Sequence, residues 1–203
     1  MKKFSALALS FVFSVVVVAA ALSVKAEAGS GNSGPITIGS VVEDFKLPDA
    51  AGKEHSLASL KGSKGTALIF VSTGCPVSNA YNERMEKLAQ DFKARGIHVV
   101  GINSNVAETP EMIMAHAAQS KLTFPILKDK GNRLADRLGA QRTPEVYLLD
   151  ASNKLVYQGR IDNAQNPQMV ATSELRSAME EILSGKPVSQ TQAKAFGCSI
   201  KRG

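Results

Sequence analysis

From Thr66 onward the chain alternates apolar runs of strand length with stretches whose apolar residues recur at helical spacing, and this alternation leaves few folds open. It predicts strands at Thr66–Ser72, Ile97–Asn103 and Phe124–Leu127, separated by helices at Pro76–Arg95, Pro110–Ser120 and Asn132–Leu138. Two further strands, Glu145–Asp150 and Leu155–Arg160, flank the turn Ala151-Ser152-Asn153-Lys154, and a last helix runs from about Thr172 to Ser184. Strands alternating with helices pair in parallel through crossovers, while two strands joined by a short turn add an antiparallel edge. The expected class is α/β, a mixed central sheet flanked by helices. Ahead of it, DFKLPDAAGKEHSLASL (Asp44 to Leu60) reads as a hairpin extension around the turn Asp49-Ala50-Ala51-Gly52, closed by a brief helical turn before Lys61-Gly62.

The chain has 203 residues, enough for one domain with a full core once the start is set aside. That start places Lys2 and Lys3 before an uncharged apolar stretch and ends in Val24-Lys25-Ala26, with small residues at the positions a signal peptidase reads. Residues 1–26 are therefore expected to be a secretory signal. The apolar stretch from Phe4 to Val24 also approaches the roughly 20 residues that span a bilayer, so an uncleaved anchor is the competing expectation. Either way the folded part is exported, periplasmic or extracellular, and it meets a membrane only if the leader stays. Residues 27–35, EAGSGNSGP, form a Gly/Ser-rich tether, the domain runs over 36–185, and 186–203 is a tail.

The formal net charge is +6, and the leader carries away Lys2, Lys3 and Lys25 with no acid, leaving 21 basic against 18 acidic residues. A balance of +3 favours solubility and gives no nucleic-acid footprint, and with no Trp and 5% aromatic residues there are few platforms on which bases could stack.

The chemistry concentrates in STGCPVSNAYNERM, Ser72 to Met85. Val77, Tyr81, Met85, Leu88, Ala89 and Phe92 recur at helical spacing, Pro76 suits the first helical position, and Cys75 is then the N-cap. A sulfur there faces unpaired backbone N–H groups, including that of Ser78, at the positive end of the helix, and both favour thiolate over thiol. Cysteine is a poor cap compared with Ser or Asp, so stability alone would not select it. Cys75 also follows the carboxyl end of a central strand, where open α/β sheets place their sites. Ser78 stands where a second cysteine would complete a C-x-x-C; a hydroxyl cannot resolve a mixed disulfide and at most donates a hydrogen bond to the thiolate.

The only other cysteine, Cys198, lies in the tail KPVSQTQAKAFGCSIKRG, whose Phe196 and Ile200 a purely disordered segment would not need. Export permits the two cysteines to pair, though spacing alone does not bring them together. Arg142-Thr143-Pro144-Glu145 precedes a strand, and Pro144 can be cis, exposing the Thr143 backbone to an extended partner, or trans at a strand start. Arg142 is a candidate activating cation, and Asn103 with Asn105, beside Asn79 and Asn82 of the Cys75 helix, can position a substrate. His55, His98 and His116 are scattered, no Cys and His share a ligand spacing, and no cofactor or metal is expected.

These pieces together resemble the thioredoxin-like redoxin superfamily, the group of alkyl hydroperoxide reductase and thiol-specific antioxidant proteins. The resemblance runs from about Ile38 to Ile200 and rests on IGSVVEDFKLPDAAGKEHSLASLKG, ALIFVSTGCPVSNAYNERM, VVGINSN, Thr143-Pro144, LLDASNKLVYQGRID and the ending SGKPV through FGCSIK, which is similar to a peroxiredoxin-like subfamily. It implies a thioredoxin fold, Cys75 at the first C-x-x-C position and Pro144 as the cis-proline. Peroxiredoxins place their peroxidatic cysteine where this chain has Ser78, and a threonine where it has Cys75, so the resemblance carries the fold further than the peroxidase activity.

Two functions follow as expectations. In the first, Cys75 attacks a protein or small-molecule disulfide or a hydroperoxide, Cys198 resolves the product, and a thiol donor returns the electrons. In the second, a Cys75–Cys198 bond is a permanent staple in a binding protein, closing a loop worth about 4 to 5 kcal/mol of chain entropy.

Overall fold

The computed structural model describes Met1 and residues 35–203; the rest of the leader, and all of the tether but Pro35, lie outside the described residues. In chain order the elements are β1 (Lys46–Pro48), β2 (Glu54–Ser56), α1 (Leu57–Leu60), β3 (Gly65–Phe70), α2 (Pro76–Asn79), α3 (Asn82–Lys93), β4 (Ile97–Asn103), α4 (Pro110–Gln119), β5 (Ile126–Lys128), α5 (Arg133–Leu138), β6 (Arg142–Thr143), β7 (Glu145–Asp150), β8 (Leu155–Gly159), α6 (Glu174–Leu183) and β9 (Cys198–Ser199). The central sheet has the order β5-β4-β3-β7-β8, with β3, β4 and β5 parallel and β7 and β8 antiparallel to their neighbours, which is the mixed sheet expected.

The period-2 side-chain alternation of strands divides the core into two layers. Ala67, Ile69, Val99, Val146 and Leu148 pack on one face with Met85, Leu88 and Phe92 of α3 and Leu175, Ala178 and Met179 of α6. Leu68, Phe70, Val100, Ile102, Tyr147 and Leu149 face the other way, onto Leu57, Leu134, Leu138 and Phe45. With both faces covered, β3 is buried at every residue, as a central strand must be. The hairpin β1–β2 forms as expected, its turn tied by Asp49, whose carboxylate accepts from the Ala51 and Lys53 N–H groups at 2.9 and 3.0 Å. The third parallel strand starts at Ile126, two residues later than Phe124, because Pro125 has no N–H to give the ladder. Among the described residues no helix is long and apolar enough to cross a membrane.

Two differences from the sequence reading shape the site. The helix expected over Pro76–Arg95 is two helices, broken at Ala80 and Tyr81. There the Tyr81 N–H turns back to Ser78 at 3.0 Å, and the Ala80 carbonyl accepts from Arg84 at 3.2 Å instead of from the helix ladder. The break lowers Tyr81 into the core, where its hydroxyl lies 2.9 Å from Asp162 Oδ1 and Arg84 stacks on its ring. Burial pushes the Tyr81 phenol well above its usual range, so it stays protonated.

The other difference is the tail. Gln158 exchanges backbone bonds with Thr191 and Ala193, Phe196 packs on Tyr81 with ring centroids 6.2 Å apart, and Ile200 is buried in the second core layer. Residues 198–199 then pair antiparallel with β6, Thr143 opposite Cys198. The tail that carries the expected resolving thiol is thus fastened to the domain at several points.

Candidate active site

Cys75 closes the start of α2 as its N-cap, with Pro76 at the first helical position. The sulfur accepts from the Ser78 N–H at 3.3 Å. Because α2 has only four residues, that local N–H, rather than a long helix dipole, is what favours negative charge on the sulfur. The Ser78 hydroxyl points away from it, accepting from the Ser72 N–H at 3.2 Å. Cys75 and Cys198 are joined as a disulfide with Cα atoms 5.9 Å apart, so the two cysteines, 123 residues apart in sequence, meet.

Thr143–Pro144 is a cis peptide, as the resemblance implied. The Thr143 carbonyl oxygen lies 3.4 Å from Cys75 Sγ. In the disulfide that sulfur has no proton, so this is a contact; in the reduced protein the thiol can donate across the same gap. The Thr143 backbone, offered by the sequence reading to an extended partner, is occupied by the chain's own Cys198. Gly197 permits this approach: its φ is +140°, and a Cβ there would strike the Thr143 carbonyl oxygen. Arg142 is exposed and donates to the Gly197 carbonyl at 3.0 Å, so its cation is bound to the tail strand.

Beneath the cysteine loop lies a carboxylate that the sequence reading did not single out. Glu108 is 8% exposed and accepts from the Ser72 hydroxyl, the Thr73 N–H at 2.8 Å, the Gly74 N–H at 3.2 Å and the Asn103 amide. Burial opposes its charge, but these donors together hold its carboxyl below the usual carboxylate range. Asn103, fully buried, spends its other polar atom on Lys128, which lies 3.0 Å away and also donates to the Asn105 carbonyl. Asn105 in turn accepts from the Lys201 N–H at 2.7 Å, three residues beyond Cys198. Burial pulls Lys128 down from its ordinary range, opposed by the charges of Glu108 and Asp129. Asn103 and Asn105 thus belong to a network joining the loop before Cys75 to the tail after Cys198. Asn79 donates to the Thr73 carbonyl, and Asn82 contacts His116 and Ser120. The signal for Glu108 was the polar run Asn103-Ser104-Asn105 directly after an apolar strand, since such groups inside a protein need charged or hydrogen-bonding partners.

Residues 38–158 match the AhpC/TSA family, and the chain belongs to it, with a thioredoxin-like fold. The match ends before the tail, so Cys198 lies outside the matched residues. The chain is 29% identical over 120 residues to the thiol-disulfide oxidoreductase ResA of Geobacillus thermodenitrificans, an alignment covering 59% of this chain and 67% of that protein. It is 30% identical over 138 residues to the chloroplastic peroxiredoxin Q of Sedum lineare, covering 62% and 70%. The crystal structure of a hypothetical protein from Sinorhizobium meliloti 1021 superposes with a TM-score of 0.76 at 38% identity, covering 83% of this chain and 96% of that one.

Proposed function

We propose that the protein is an exported thiol-disulfide oxidoreductase whose working pair is Cys75 and Cys198. The single observation that carries the reading is that pair: a cysteine at the start of a helix, its sulfur against the Ser78 N–H and the carbonyl before a cis-proline, bonded to a second cysteine brought in by the tail. The thiol-disulfide oxidoreductase among the relatives supports it. In the reduced protein Cys75, as thiolate, attacks one sulfur of a substrate disulfide and expels the other as thiolate. Cys198 then attacks Cys75 Sγ, releases the second substrate thiol and restores the protein disulfide. Thr143 and Pro144 shape the edge at which the substrate meets Cys75, while Ser78, Pro76 and Asn103 hold the loop. Ser78 in the position of the peroxidatic cysteine favours disulfides over hydroperoxides as substrate. Export rests on the leader, which would place the pair where disulfides persist.

A staple is the second reading, favoured by the 3% exposure of Cys75 and the many contacts of the tail. Equilibration in glutathione buffers followed by alkylation separates the two. A bond that half-reduces within the glutathione range supports exchange, and with it Cys198→Ser should accumulate a mixed disulfide on Cys75. A bond that resists the whole range, or a Cys198→Ser protein that turns over substrate like the parent, removes the proposal.

A further inference from the structure

The two sulfurs of the bond are not equivalent, and the difference decides where electrons enter. Resting on the redox reading above, we propose that the reducing thiol attacks Cys198, not Cys75, so that the donor and the substrate meet different cysteines of the same pair.

Attack on a disulfide proceeds in line: the incoming nucleophile approaches one sulfur from the side opposite the other, which leaves with the bonding electrons. At Cys75 burial and the neighbouring atoms oppose that approach. The residue is 3% exposed, the Ser78 N–H lies 3.3 Å from the sulfur, and the Thr143 carbonyl oxygen, which repels an anionic nucleophile, lies at 3.4 Å. Cys198 sits in a partly exposed strand of two residues between Gly197 and the exposed Ser199. Its surroundings lean cationic: the exposed Arg142 is bonded to the carbonyl of Gly197, and the exposed Lys201 follows three residues on, while the charge of Arg202 is taken up by Asp136 at 2.9 Å. A thiolate is drawn to that side. The leaving group is matched as well, because a sulfur expelled at Cys75 is received by the Ser78 N–H, and the better-stabilised thiolate leaves faster.

The step balances as an exchange. The donor thiolate forms a new S–S bond to Cys198, the Cys75–Cys198 bond breaks, and its electron pair stays on Cys75 as thiolate. A second donor thiolate attacks the donor sulfur of that mixed disulfide and releases Cys198. Two thiols become one disulfide, and the protein gains two electrons and becomes a dithiol. The tail, no longer tied to Cys75, can then leave the Thr143 edge to an extended substrate. The donor is therefore a thiol of anionic character, a low-molecular-weight thiol or an acidic dithiol protein, and glutathione against neutral mercaptoethanol compares the two charge classes.

Sulfite is the probe for the entry point, since it attacks disulfides in the same line and leaves a stable S-sulfonate on the sulfur attacked. The oxidised native protein is treated with sulfite, freed of reagent in acid, alkylated with N-ethylmaleimide and mapped by peptide mass. The expected product carries S-sulfonate on Cys198 and maleimide on Cys75, at least ten-fold over the reverse. The reverse product, a near-equal mixture, or no reaction while the urea-unfolded protein reacts would each overturn the proposal. The site of the adduct is read without turnover, so it stands or falls separately from the glutathione titration that tests the oxidoreductase reading.

Discussion

Reducing the Cys75–Cys198 bond should cost stability in a way that depends on pH. The bond closes a loop of 123 residues, and the chain-entropy treatment gives about 16 cal/mol/K, or about 4.9 kcal/mol at 25 °C, removed from the unfolded state. Against this, the reduced folded protein gains what the oxidised one lacks, a Cys75 thiolate accepting from the Ser78 N–H at 3.3 Å, and a hydrogen bond to a charged group contributes about 1.5 to 3 kcal/mol. That gain exists only where Cys75 is ionised. It is absent in acid, grows as pH rises, and is complete once the unfolded thiol also ionises, above about pH 8.5. The expected gap between oxidised and reduced protein is thus about 5 kcal/mol at pH 5 and about 3 kcal/mol at pH 9. At 2 to 4 °C of Tm per kcal/mol for a domain of this size, the gap at pH 9 corresponds to about 6 to 12 °C. Around the same cycle, 3 kcal/mol makes the folded bond about 60 mV harder to reduce than the same pair in the unfolded chain. Urea unfolding of both forms at the two pH values, with a phosphine holding the reduced state, measures it. A gap that stays near 5 kcal/mol at both pH values would refute the stabilised thiolate, and one near zero at pH 5 would refute the loop argument.

Two other perturbations test the surroundings of the pair. Glu108→Gln removes the charge that receives the Thr73 and Gly74 N–H groups and turns an amide N–H toward other donors, so a loss of about 3 kcal/mol is expected by urea unfolding. Because this carboxyl titrates below its usual range when folded, its contribution is present above about pH 4.3 and fades as pH falls further; a Gln variant whose deficit persists unchanged at pH 3 would contradict that. Gly197→Ala drives a Cβ into the Thr143 carbonyl oxygen at a φ of +140°, and strain of about 1 to 3 kcal/mol in the bonded form should make the disulfide about 20 to 65 mV easier to reduce in glutathione buffers. An unchanged potential would mean that β9 does not need the close approach.

The strands and the class of the sheet were legible because burial on both faces writes near-continuous apolar runs such as ALIFV, and because helical spacing cannot be mistaken for them over ten residues or more. The N-cap at Cys75 was legible for a local reason too, since Pro76 marks a first helical turn wherever the chain goes next. The break at Tyr81 was not, because Tyr81 keeps the helical spacing of Val77 and Met85; only Asp162 and Arg84, placed by the fold, make a lowered tyrosine the better solution. Glu108 escaped for a similar reason: one glutamate before a helix looks like any other until Ser72, Thr73, Gly74 and Asn103 converge on it.

The sequence by itself determined the α/β class, the hairpin extension, the helix start that presents a sulfur to backbone N–H groups, and the count of two cysteines. These depend on neighbours within a few residues or on a simple total. Tertiary structure alone decided that the tail returns across 123 residues to lay Cys198 against Cys75 and Thr143, that Arg142 attends the tail, and that one cysteine of the pair is buried while the other is a partly exposed residue. Such contacts join residues far apart along the chain, and no periodicity or spacing carries them; they follow only when Phe196, Ile200 and the β6 edge find their partners in the packed core.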